Sequence, residues 1–264
     1  MGRLIWAAVC LAAAANAAAA DTQDPLADAR LFYNRRQFEA SLNAAEQARL
    51  VAARADSADL VAARAYLERF RESAAPDDLA NARERLRRLD PQRFGPLERV
   101  EFIVGLGETL YFDESYGAAA NVFASVLDST GPLTAEARER VLDWWATATD
   151  RDGRGRLDVE RQNTYERIRS RMQDELATHP ASASAPYWLA AAARAKGDLQ
   201  AAWDAAEAGW VRASLAVDHG AALRADLDHL MLRAIVPERA KALAQPVENL
   251  RLEWERFKER WKKD

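Results

Sequence analysis

The residues best suited to hold an ion lie in one short stretch, DRDGRGRLDVER, from Asp150 to Arg161. Asp150, Asp152 and Asp158 place carboxylates at its first, third and ninth positions, around Gly155 at the sixth and Leu157 at the eighth. Alternating oxygens wrapped about a glycine turn are what a hard cation such as calcium requires. Arg154 and Arg161 stand at the fifth and twelfth positions, where a short oxygen ligand and a bidentate Glu would complete the shell. Asp150, Asp152, Asp158 and Glu160 are matched by Arg151, Arg154, Arg156 and Arg161, so no surplus of negative charge remains for a cation. The alternative role is a glycine hinge between helices, the first ending near Thr149 and the second beginning near Val159. Gly153 and Gly155 would take positive φ after the helix end, and Asp158 would cap the next helix. Asp150 and Asp152 would then meet Arg151 or Arg154.

The segment resembles a degenerate EF-hand loop, and the two arginines leave the family's ligand set incomplete. Other chemistry is sparse. His179 precedes Pro180, His219 stands alone, and His229 lies three residues after Asp226, on the same side of a helix. Two ligands on one turn with no third in view are too few for zinc. No HExxH sequence, phosphate loop, dinucleotide fingerprint or nucleophile elbow occurs. The expectation is a chain with no catalytic residues, no cofactor and no metal: not an enzyme.

The ends and the bulk composition narrow the class. Met1–Arg3 give a basic start, Leu4–Ala15 an apolar run, and Ala18-Ala19-Ala20 a small-residue site before Asp21, the pattern of a secretory signal over residues 1–20. Cys10, the only cysteine, lies inside it, and Ala7-Ala8-Val9 matches a lipobox poorly. The mature chain would be periplasmic or secreted, without disulfides and without membrane insertion. A net charge of −4 gives no footprint for nucleic acid.

The elements that must position any site are helices. Ala, Leu, Arg and Glu dominate. Breaks fall at Ala75-Pro76, Asp90-Pro91, Gly95-Pro96, Gly131-Pro132, Gly153 to Gly155, His179-Pro180, Gly197 and Pro237. Tyr165, Ile168, Met172 and Leu176 mark one helical face. Leu106, Gly107, Leu110, Tyr116, Ala119, Phe123 and Val126 form a pattern that returns as Leu189, Ala190, Ala193, Gly197, Leu199, Ala202 and Ala206. A weaker copy runs through Ala29, Phe32, Phe38, Ser41, Ala45 and Ala48. This pattern resembles the tetratricopeptide repeat, well over 98–131 and 183–216 and fairly over 25–55. Residues 57–90 and 134–178 match only as helical pairs. The copies lie further apart than whole multiples of the family's unit of about 34 residues, which predicts an irregular stack. The resemblance implies an all-α fold: an α-solenoid of antiparallel hairpins over 21–246, closed by a C-terminal helix over 247–264.

In the family, first helices line a concave groove that binds peptides or partner proteins. By position that groove holds Arg30, Tyr33 and Asn34, then Glu108, Tyr111 and Phe112, then Tyr187, Ala191 and Arg194. The family's Lys/Asn carboxylate clamp is missing, because its places carry Val104 and Glu108, or Tyr187 and Ala191. In the C-terminal segment Val247, Leu250, Trp254, Phe257 and Trp261 form one apolar stripe. It caps the stack or docks on a partner, and in the second case Trp254, Phe257 and Trp261 are the anchors. The functional expectation is an exported interaction scaffold whose groove takes a protein or peptide. The alternative is a non-catalytic accessory subunit of a cell-envelope assembly, docking through the Trp/Phe helix.

Overall fold

The computed structural model describes residues 24–129, 133–216 and 218–262. The expected signal segment and the Gly131-Pro132 break lie outside these residues. Helix follows helix: α1 (Pro25–Asn34), α2 (Phe38–Arg49), α3 (Ala55–Ser73), α4 (Pro76–Arg88), α5 (Pro96–Phe112), α6 (Tyr116–Asp128), α7 (Ala135–Arg154), α8 (Asp158–Thr178), α9 (Ser184–Ala195), α10 (Leu199–Arg212), α11 (Ala221–Leu230), α12 (Val236–Ala242) and α13 (Val247–Arg260). No strand occurs among the described residues. The sequence breaks are local chemistry: Pro76 and Pro96 occupy the first helical position, where the missing N–H costs nothing.

Three hairpins turn in the same way. α1, α5 and α9 each end two residues before a left-handed residue: Arg36 (φ 58°), Glu114 (φ 59°) and Gly197 (φ 82°). In each turn the next amide reaches back five residues: Gln37 to Phe32, Ser115 to Leu110 and Asp198 to Ala193, at 2.9, 2.9 and 3.0 Å. This is the Schellman closure, which satisfies carbonyls that a helix end leaves free. Aligned on that turn, Ala29, Gly107 and Ala190 share a register, as do Ser41, Ala119 and Ala202.

Those small residues set the helix spacing. A Cβ built on Gly107 would lie 2.6 Å from the Phe123 ring, so α5 and α6 cross where only glycine fits. Ala29, Ala119, Ala190 and Ala202 are fully buried. Each helix packs on its chain neighbours, and α1, α3, α5, α7, α9 and α11 also touch in succession, forming a layer of first helices. The four apolar clusters follow this order along the chain and share residues at their margins: Tyr66 and Ile103 each border two of them.

Four expectations are corrected. α7 does not stop near Thr149 but runs to Arg154, so Asp150 and Asp152 are helical residues and the EF-hand-like loop does not form. Gly153 serves close packing instead of a turn: its Cβ would lie 2.8 Å from the Thr164 methyl, while Gly155 has φ −86°. Leu157, not Asp158, is the cap residue of α8. Pro237 is not a break. It follows a π-helical segment, Met231–Ile235, so the chain continues from α11 into α12 without the hydrogen bond that proline cannot donate.

The apolar stripe of α13 turns inward. Trp254 is fully buried, 5.4 Å from the Trp210 ring centroid and stacked on Phe257 at 5.5 Å. Its Nε1 donates to Asp228 at 2.8 Å, and Lys258 donates to the same carboxylate oxygen at 2.6 Å. Trp254 and Phe257 are thus corrected as free docking residues, because the chain's own core covers them. Trp261, just past the helix, stays 51% exposed.

Gly107→Ala should lower stability by about 1–3 kcal/mol through overpacking against Phe123. Gly155→Ala, with nothing within 4 Å of the added carbon, should change it little. Thermal melts of the two variants compare them directly. Trp254→Ala should cost about 3–5 kcal/mol in denaturant unfolding; a near-neutral result would mean that α13 does not close the core.

Candidate functional site

The first-helix layer gathers side chains from distant parts of the chain. Tyr33 on α1, Arg64, Glu68 and Arg71 on α3, and Glu108 on α5 act on one another electrostatically, as does Arg140 on α7. The Arg64 guanidinium lies 4.3 Å from the Tyr33 ring centroid and 2.7 Å from the Glu101 carboxylate. Burial pushes the Tyr33 phenol up to about 12, despite the opposing charge of Arg64. Burial also lifts the Glu108 carboxyl to about 7, assisted by the negative charge of Glu68 and opposed by Arg64, Arg71 and Arg140. Arg71 also pairs with Glu68 at 2.5 Å.

Aromatic rings fill the middle of the layer. Phe112 packs edge-on against Phe70 of α3 at 4.9 Å and Trp144 of α7 at 5.7 Å. Tyr111 lies 4.8 Å from Trp144, which in turn stacks on Phe123 at 6.0 Å. Tyr111 and Phe112 are therefore half-buried between successive hairpins, and Tyr111 keeps Arg151 beside its hydroxyl.

The C-terminal half holds two joined cavities, of about 480 and 420 Å³, which share Asp150, Arg154, Tyr187 and Trp188. Asp150 accepts a hydrogen bond from the Tyr165 hydroxyl at 3.0 Å and pairs with Arg154 at 2.5 Å. Asp152 pairs with Arg156 at 2.8 Å. Their partners are thus cations one helical turn onward, and Arg151 takes no part. Asp143 accepts a bond from Trp188 Nε1 at 2.9 Å, and burial raises its pKa. Burial raises Asp226 as well, with His229 as a weak counterweight. Tyr187 lies among the fields of Asp226, Asp143 and Asp150, and its phenol is raised by burial first and by these carboxylates next.

Of the sequence-selected residues, the structure places Tyr33, Glu108, Tyr111, Phe112, Tyr187 and Arg194 on this layer. Arg194 is held by Glu238 of α12 in a two-pronged contact, with distances of 2.5 and 3.0 Å. Arg30 instead ties α1 to the start of α5 through Glu98 at 2.5 Å. Asn34 is exposed at the end of α1. Sequence reasoning missed Arg64, Asp143 and Trp144. Arg64 and Asp143 belong to the hairpins whose pattern resembles the repeat least, and Trp144 is masked by its neighbour Trp145, the core member of the pair. Asp226 entered only as a metal-ligand candidate with His229, yet its carboxylate lines the larger cavity.

Among the described residues no group of three or more His, Cys, Asp or Glu side chains is placed to share a metal ion. None of the described helices is long and apolar enough to cross a membrane. No protein family, curated protein or solved structure matches the chain.

A carboxyl whose folded pKa exceeds its unfolded value takes up a proton on folding between the two. Glu108 thus costs no stability below about pH 4.5, and its cost grows until the pH passes about 7. Glu108→Gln should therefore gain on the parent chain as pH rises. Urea unfolding at about pH 5 and about pH 8 measures the gain, and an equal offset at both would refute the assignment.

Proposed function

We propose that this chain is an exported interaction scaffold built from tetratricopeptide-like hairpins, stacked as an α-solenoid, whose first-helix groove holds a peptide or a segment of a partner protein. The observation that carries this reading is the layer itself. Tyr33, Glu108, Tyr111 and Tyr187 belong to its helices α1, α5 and α9, and Tyr187 lines two cavities there. Such a surface supplies the rigid aromatic anchors and oriented polar groups that recognition needs. The common turn at Arg36, Glu114 and Gly197, with a small residue seven positions earlier at Ala29, Gly107 and Ala190, supports the repeat reading. The basic, apolar and small-residue order of residues 1–20 supports export. Envelope docking through α13 draws less support, because Trp254 and Phe257 are engaged inside the chain.

A photocrosslinking residue at Tyr111 and another at Arg167, exposed on α8, test the groove in native envelope extracts. Capture of a discrete species at 111 and not at 167 is expected. Asn34→Ala, at an exposed position at the end of α1, on the same crosslinking chain should weaken capture with little change in melting. Equal capture at both positions, or none at 111, would sink the groove as the binding face.

A further inference from the structure

The charges along the first-helix layer are unequally served. Arg64, Arg154 and Arg194 are held by Glu101, Asp150 and Glu238, at 2.7, 2.5 and 2.5 Å. Asp143 and Asp226 face the larger cavity without such a cation: Asp143 is met by the neutral Trp188 Nε1, and His229 is the one basic group acting on Asp226. Tyr187, on α9 between the helices that carry them, feels both carboxylates and contributes the ring that lines the same cavity. Arg151 stands at the edge of this cavity and beside the Tyr111 hydroxyl, so a longer occupant passes from the cavity to the Tyr111, Phe112 and Trp144 rings.

Asp150 and Arg154 also line this opening but satisfy each other, which leaves Asp143 and Asp226 beside the Tyr187 ring to complement a cation, by charge and by the quadrupole of the ring. The exposed Arg151 disfavours an unbroken run of positive charge and can donate to a carbonyl or carboxylate beside the basic group. Building on the groove reading, we infer that the occupant is an extended peptide segment bearing a lysine or arginine, whose cationic head enters the cavity between Asp143 and Asp226 against Tyr187. Apolar side chains next to that residue lie on the Tyr111–Trp144 rings.

The test uses the purified chain and three amidated peptides of leucine and alanine, capped at the N-terminus by fluorescein, that differ only in a central lysine, glutamine or glutamate. Fluorescence polarisation should show the lysine peptide binding about tenfold more tightly than the glutamine peptide, the weight of one partly exposed charge pair with its cation–π contact. Asp226→Asn should erase that preference. Asp226 is exposed and accepts no hydrogen bond among the described residues, so the variant should keep the parent melting temperature. Arg151→Gln should leave the lysine preference intact or enlarge it. Equal or tighter binding of the glutamine or glutamate peptide, or a preference that survives Asp226→Asn, overturns the inference. If such binding falls with Tyr111→Ala, the groove remains a peptide site and only the basic anchor is lost. If none of the three peptides binds, the basic anchor is overturned, and crosslinking at 111 decides separately on the groove. Spermidine that competes as well as the lysine peptide would assign the cavity to a free polyamine and overturn the peptide as its source.

Discussion

Close approach of helix backbones at small residues is the constraint on which the rest depends. Gly107 under Phe123 is the tightest instance, and the buried alanines of α1, α6, α9 and α10 repeat it. Alanine contributes little apolar area per residue, so these seams gain stability by bringing helices near enough for the larger neighbours to interdigitate. Phe123, Leu142, Ile168 and Met172 then fill the space on either side and are almost wholly excluded from water. Widening one seam would move a whole first helix and, with it, its share of the first-helix layer.

Arginine–carboxylate pairs fix the hairpins against one another. Arg85 of α4 reaches Glu46 of α2 and Asp59 of α3, and Arg138 of α7 grips the buried Glu175 of α8 with two bonds of 2.7 Å. Exposed pairs of this kind contribute about 0–1 kcal/mol each. The Arg138–Glu175 contact differs, because removing the arginine would strand a charge that is 4% exposed. These pairs occupy the outer surfaces and the seams between hairpins. The first-helix layer holds such pairs too, at Arg64, Arg154 and Arg194, but Glu108, Asp143 and Asp226, whose pKa values burial raises, form no ion pair among the described residues.

What the sequence determined by itself was the local structure. Helix propensity, proline at first helical positions and the recurring pattern of Gly107, Ala119 and Phe123 specify helices, hairpins and their seams, because each rests on contacts close along the chain. The inward rhythm of Tyr165, Ile168 and Met172 belongs to the same class. The alternation of apolar and polar residues also reveals the stripe of α13, but not which protein covers it. Trp254 finds Trp210 and Asp228, residues of other helices whose proximity no local pattern encodes.

Tertiary structure alone decided the glycine-bearing stretch and the composition of the groove. DRDGRGRLDVER offers the same dihedral freedom to a loop and to a helix end. The packing of Gly153 on Thr164 and the burial of Asp150 against Tyr165 favour five more residues of α7, and an ion loop is lost. Asp143, Tyr187 and Asp226 lie on three helices spread over more than eighty positions, and nothing in their spacing announces that they share an opening. Short-range order is carried by steric and hydrogen-bond rules within a few residues. The neighbourhood of a charge depends on how whole helices stack, which the seams fix only after they have closed.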